Sequence, residues 1–180
     1  ADTAGDWLVG FGMAGDELKG QPGDFRWAFD CAREAGLRIT VHAGEWGGAA
    51  SVRAALDQLA PERIGHGVQA IEDPALVDRL AEDGIVLECC PGSNVVLGVF
   101  KDWPSHPIER LRARGVKVTV STDDPPFFGI TMASDYENLT RHFGWDDAIF
   151  ADVNRTALDA AFCDPATKKI IAKRLGETQA

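Results

Sequence analysis

The chain has 180 residues, 45% of them hydrophobic and 26% charged, a composition that supports a folded domain with a sizeable core and excludes a disordered polymer. Its formal net charge is −10, with 28 acidic against 18 basic residues, so neither nucleic acid nor an anionic membrane surface suits it as a general partner. No apolar run reaches the ~18 residues that a membrane-spanning helix needs, and no basic region followed by an apolar one opens the chain.

In chain order, short apolar runs at 7–12, 38–43, 63–66, 85–90 and 116–121 read as five strands. Helical patterns separate them. Phe25, Ala28, Phe29, Ala32 and Ala35 share one helical face before Gly36, and Val52, Ala55, Leu56 and Leu59 do the same before Pro61. Asp73-Pro74 is an N-cap followed by proline at the first helical position, with Leu76, Val77 and Leu80 as the apolar stripe and Gly84 as the stop. A shorter helix at 108–114 precedes the last strand, and helices are expected at 135–143, 146–162 and 164–175 beyond it.

Strands alternating with helices imply right-handed crossovers and a parallel sheet, either doubly wound or part of a βα barrel. The polar residues separate the two. His42, His66, the Pro91-Gly92-Ser93-Asn94 turn and Asp123-Asp124 all lie at or just past the C-terminal end of a strand, where a barrel gathers its active site from several strands. No G-x-G-x-x-G follows a strand, which disfavours a dinucleotide fold. The expectation is an α/β fold, a partial (β/α)8 TIM-type barrel, with residues 1–180 forming a single domain.

Val41-His42-Ala43-Gly44-Glu45 ends a strand in an imidazole and, three residues later, a carboxylate, with glycine permitting a tight turn between them. That spacing can place a metal-binding histidine and a proton-transferring glutamate around one substrate. A hydrogen-bonded structural histidine is the plainer reading. Arg63-Ile64-Gly65-His66-Gly67 ends the next strand in a second histidine between glycines. Ser121-Thr122-Asp123-Asp124-Pro125 carries adjacent carboxylates, whose repulsion needs a cation, a donor or protonation to offset it. They either cap the next helix or divide between a metal and a ligand. His42, His66 and Asp123 together could give zinc three protein ligands.

Other features carry less. The glycine-rich 10–17 segment opens no helix and lacks a following Lys-Ser or Lys-Thr, so it is no phosphate loop; it is either a flexible loop or one that presents a backbone amide to a flat ligand. The cysteines Cys31, Cys89, Cys90 and Cys163 form no C-x-x-C pair and read as packing thiols. His106 and His142 are expected in surface or packing roles, and Trp46 beside Glu45 as a pocket wall.

Taken in order, Val41-His42-Ala43-Gly44-Glu45, Arg63-Ile64-Gly65-His66-Gly67, Cys90-Pro91-Gly92-Ser93-Asn94 and Ser121-Thr122-Asp123-Asp124-Pro125 resemble the adenosine and adenine deaminases, as does Met13-Ala14-Gly15-Asp16-Glu17. The resemblance implies an eight-stranded zinc barrel, of which these would be the fourth to eighth strands. It implies that His42 and Asp123 ligate Zn2+, that Glu45 protonates purine N1 and that His66 orients and helps deprotonate the attacking water. Asp124 would meet N7, and the Gly15 amide N3.

The implied reaction is hydrolytic deamination of adenosine, or alternatively of adenine, by a cytoplasmic enzyme. The family's His-x-His zinc pair is absent from this sequence, which together with the initial Ala1 suggests a C-terminal portion. A missing N-terminal segment or self-association would then complete a barrel that otherwise exposes pairing edges and an apolar interior. From a different class, a non-catalytic half-barrel acting as an interaction module also accounts for the absent pair.

Overall fold

The structure, a computed structural model, describes residues 5–177. Five strands, β1 (Gly10–Met13), β2 (Arg38–Ala43), β3 (Arg63–His66), β4 (Val86–Cys89) and β5 (Lys117–Val120), form one sheet in the order of the chain. Every pairing is parallel. The order never reverses, so the sheet has no switch point of the doubly wound kind, and it forms part of a βα barrel. β1 and β5 each have a single neighbour in the sheet, which leaves one edge of each unpaired among the described residues.

Helices α1 (Arg26–Glu34), α2 (Gly48–Leu59) and α3 (Pro74–Glu82) make the first three crossovers, and α4 (Pro91–Val96) with α5 (Ile108–Ala113) makes the fourth. After β5 come α6 (Pro125–Phe128), α7 (Met132–Phe143), α8 (Asp147–Ala160) and α9 (Pro165–Glu177). The caps follow local chemistry. The Asp73 carboxylate accepts from the Ala75 and Leu76 amides, and Pro74 occupies a position with no amide to satisfy. Thr131 and Ser134 cap α7 reciprocally, so this helix starts three residues before the apolar pattern suggests. Pro91 begins a helix where the sequence reads as a turn, because its fixed φ suits a first helical position. Trp7 lies in a 3-10 turn before β1 and is almost wholly exposed. Among the described residues, no helix is long and apolar enough to cross a membrane.

The two faces of the sheet differ. Ile39, Val41, Ile64, Leu87 and Val118 point toward the helices and are 0–2% exposed. Registry places Gly12, Thr40 and Arg63 together on the other face, and His42, Gly65, Glu88 and Thr119 in the next layer. This face is polar, which corrects the expectation of an apolar interior. Thr40 donates to Glu88 Oε2 at 2.6 Å, and Arg63 pairs with Glu88 Oε1 at 3.2 Å. At the N-terminal ends of the strands, Phe162 stacks under the guanidinium groups of Arg63 and Arg38 at 3.6 and 4.4 Å. The Ala160 and Ala161 carbonyls accept from the same two arginines. The apolar drive therefore lies between sheet and helices, while the interior is held by ion pairs and hydrogen bonds.

Leu87→Ala removes a side chain with no exposed surface, and it should destabilise the protein by about 2–5 kcal/mol. Trp27, 80% exposed on α1, should tolerate alanine within about 0.5 kcal/mol. Urea unfolding of both variants checks the contrast.

Candidate active site

The C-terminal ends of the strands bring His42, Glu45, His66 and Asp123 together. His42 faces inward from β2, level with Gly65. A Cβ at Gly65 would collide with His42 Cδ2 and stand 3.1 Å from Nε2; the ring needs that glycine to lie across β3. His66 follows Gly65 and by strict alternation would face the helices. Its backbone instead turns left-handed, with φ 62°, and its ring meets the His42 ring edge-on at 4.9 Å. Asp123 is also left-handed, with φ 60°. Such conformations are uncommon outside glycine, and they persist where the surroundings over-determine them, often at functional sites.

Glu45 sits in the bend after β2. Its Oε1 accepts from Asn94 Nδ2 at 3.2 Å, and its Oε2 lies 3.5 Å from His66 Nε2. Burial, followed by the negative charges of Asp123 and Glu17, raises its pKa to about 7. Burial holds His66 below its ordinary value, helped by His42 and opposed by the nearby carboxylates, so its imidazole is neutral at pH 7. Ser93 donates to Asp123 Oδ2 at 2.7 Å. A strand-end turn, a helix start and a bend thus converge on one pocket.

Glu17, in the segment after β1, carries no role in the sequence reading yet organises this bend. Its carboxylate accepts from the amides of Gly44 at 2.8 Å and of Glu45 and Gly47 at 2.9 Å, and from the Ser51 hydroxyl at 2.9 Å. Gly44 has φ 75°, and a Cβ there would strike Val52. Asn94 and His106 are also more than packing. Asn94 bridges Glu45, His66 and His106, and His106 is fully buried. Only the Ser-Asn of the Pro91–Asn94 motif hinted at this in the sequence.

The remaining expected residues lie nearer the periphery. Gly15 lines a cavity of about 530 Å3 together with Met13, Glu17, Phe25, His42 and Ser51. Asp124 precedes α6 and makes no side-chain cap hydrogen bond, so the capping reading does not hold. His142 stacks on Trp103 at the surface, and Trp46 is half-exposed beside Glu45.

Among the described residues, the tightest trio of metal-capable atoms is His66, Cys90 and Asp123, all within 4.8 Å of one another. His42 shares a pocket with His66, Cys90 and Asp123 but is not in that trio. Burial, then the charge of Asp123, pushes the Cys90 thiol well above its usual range. It stays an S–H group and donates weakly to the Glu88 carbonyl at 3.6 Å. The donors left include the His42 imidazole and the Asp123 carboxylate, nitrogen and oxygen ligands of the kind that zinc accepts. A divalent cation would also relieve the crowding of Asp123, Glu45 and Glu17. The residues fit such an ion.

The family model described as adenosine deaminase matches residues 3–178. An adenine deaminase of Chelativorans sp. (strain BNC1) is 53% identical over 168 residues, covering 93% of this chain and 52% of the relative. One from Rhizobium leguminosarum bv. trifolii is 53% identical over 176 residues, covering 97% and 55%. Among solved structures, the adenine deaminase of Arthrobacter aurescens superposes with a TM-score of 0.90 at 33% identity, over 96% of this chain and 53% of that one. An amidohydrolase from Burkhoderia ambifaria with bound zinc gives 0.85 at 30% identity, over 96% and 49%. The chain spans about half the length of these relatives. With a matching family model over nearly its whole length, this chain belongs to the adenosine deaminase family.

Proposed function

We propose that the protein carrying this chain deaminates a 6-aminopurine by hydrolysis, with adenine as substrate. The observation that carries the reading is Glu45, a carboxyl raised to about 7 beside a neutral His66 and the Asp123 carboxylate. Relatives named adenine deaminase at 53% identity favour adenine over the adenosine that the motifs alone suggest.

His42 and Asp123 are proposed to hold zinc, supported by the donor set and by the zinc-bound neighbour. Zinc supplies the Lewis acidity that makes water nucleophilic near neutral pH. Because this sequence has no His-x-His pair, the remaining ligands are assigned to a further segment of the whole protein. Glu45, protonated, donates to ring N1, which disrupts the ring's aromaticity and leaves C6 electron-poor. His66 orients the attacking water by hydrogen bonding. Asp124 at N7 and the Gly15 amide at N3 complete the purine contacts. As the water adds to C6, its proton passes to the Glu45 carboxylate left by protonation of N1. Glu45 gives it to the amino group, ammonia leaves, and the proton of the C6 hydroxyl returns to Glu45 as the C6 carbonyl forms.

With zinc, the whole protein should convert adenine to hypoxanthine and ammonia with kcat/KM at least about tenfold above that for adenosine. Equal or faster turnover of adenosine reverses the substrate assignment, and a zinc-replete protein that deaminates neither leaves the interaction-module reading standing. Glu45→Gln should lower kcat by about 100- to 10,000-fold, the usual worth of a positioned acid. Since Glu45 acts in its protonated form, wild-type kcat should fall as pH rises through about 7; a rate that climbs across that window contradicts the role. Glu17→Ala leaves the amides of Glu45 and Gly47 without their acceptor and the Gly44 amide with only its longer bond to Ser51 Oγ at 3.3 Å. A misplaced Glu45 should then cost about 100-fold in kcat/KM, read by steady-state kinetics.

A further inference from the structure

His106 stands behind Asn94, on the side away from Glu45 and His66, and is 1% exposed. The Ile108 amide lies 3.3 Å from its Nδ1. A backbone N–H can only donate, so Nδ1 accepts. Burial pushes the imidazole down to about 3, which leaves it neutral with its one proton on Nε2. That Nε2–H meets Asn94 Oδ1 at 3.2 Å. Were the Asn94 amide rotated, its N–H would face another N–H. The oxygen is therefore fixed toward His106, and both amide hydrogens are turned into the pocket. Their acceptors are there: Glu45 Oε1 at 3.2 Å and His66 Nδ1 at 3.4 Å. Phe100 packs edge-on against the His106 ring at 5.0 Å, and this holds the plane.

We propose that His106 is a positioning residue of the active site, which orients the Asn94 amide so that its two hydrogens hold Glu45 and His66 at once. The pattern has a consequence for His66. With Nδ1 accepting from Asn94, a neutral His66 carries its proton on Nε2, the atom 3.5 Å from Glu45 Oε2. On that side it is a hydrogen-bond donor, so it orients water rather than removing its proton, a departure from the role that the family resemblance implies. Proton removal falls to the Glu45 carboxylate once N1 has taken its proton. Neither step needs His106 to touch substrate.

The kinetic part rests on the deaminase reading; the orientation itself does not. Nitrogen-15 spectra of the zinc-loaded protein, labelled at histidine, should show both His106 and His66 protonated at Nε2 and bare at Nδ1. A His106 proton on Nδ1 overturns the proposal. His106→Phe should lower kcat by about 10- to 100-fold, with KM within about threefold, as loss of a supporting hydrogen bond does. His106→Gln, whose side-chain amide can donate in place of Nε2, should return kcat to within about threefold of wild type. His106→Phe at the wild-type rate, or His106→Gln as slow as His106→Phe, overturns the proposal. If the wild-type protein deaminates no purine, the deaminase reading fails while the histidine tautomers still decide the positioning role.

Discussion

Three backbone amides and a hydroxyl converge on the Glu17 carboxylate at 2.8–2.9 Å, and the site depends on that junction. It ties the segment after β1 to the bend after β2, two stretches that the sheet aligns only as far as Met13 and Val41. A bend of this kind has no ladder partners for its amides, and without an acceptor it would turn them to water. Held by Glu17, the backbone of Glu45 is fixed and its side chain reaches Asn94 and His66. The same junction brings the Glu17 charge close enough to raise the Glu45 pKa. One interaction thus places the Glu45 carboxyl and helps keep it protonated.

Positioning by backbone recurs across the sheet. His42 uses ordinary alternation and needs only the gap at Gly65. His66 breaks the alternation with a left-handed backbone, and Asp123, three residues past β5, adopts one too, each at a cost of order 1–3 kcal/mol that packing elsewhere offsets. Buried Ala43, the register partner of His66 on β2, supplies some of that packing. His and Asp are among the residue types that tolerate this conformation best, so the chemistry of the site and its backbone geometry select the same residues.

Much of this was legible in the sequence. The strands at 38–43 and 63–66 match the structure to the residue, because runs bounded by Gly and Pro carry the signal locally. His42, His66 and Asp123 stand out in the sequence at or just past strand ends and Glu45 by its spacing from His42, and the structure brings the four together. Glu17 was missed as an organiser because its partners lie 27–34 residues away, and nothing local distinguishes it from a solvated acid. His106 was read as packing or surface for the same reason: its partner Asn94 is reached only once α4 and the loop before α5 have folded. The polar interior escaped notice because each strand shows its inward residues singly. Thr40, Arg63 and Glu88 become a network only when registry sets them side by side.

That network bears on how half of a barrel holds its shape. An apolar interior facing water would drive collapse or association, and its strands would gain by folding onto one another. Here the large apolar burial is on the helix side, where Val41, Ile64 and Leu87 have no exposed surface. On the inward face Glu88 takes one hydrogen bond from Thr40 and one ion pair from Arg63. Directly above, Cys90 donates to the Glu88 carbonyl and stands in the trio with His66 and Asp123. The fixed charges that brace the sheet are therefore continuous with those that build the site. A change at Glu88 would be felt by both, since in a low-dielectric interior an unpaired charge left on Arg63 is costly and its field reaches the pocket above.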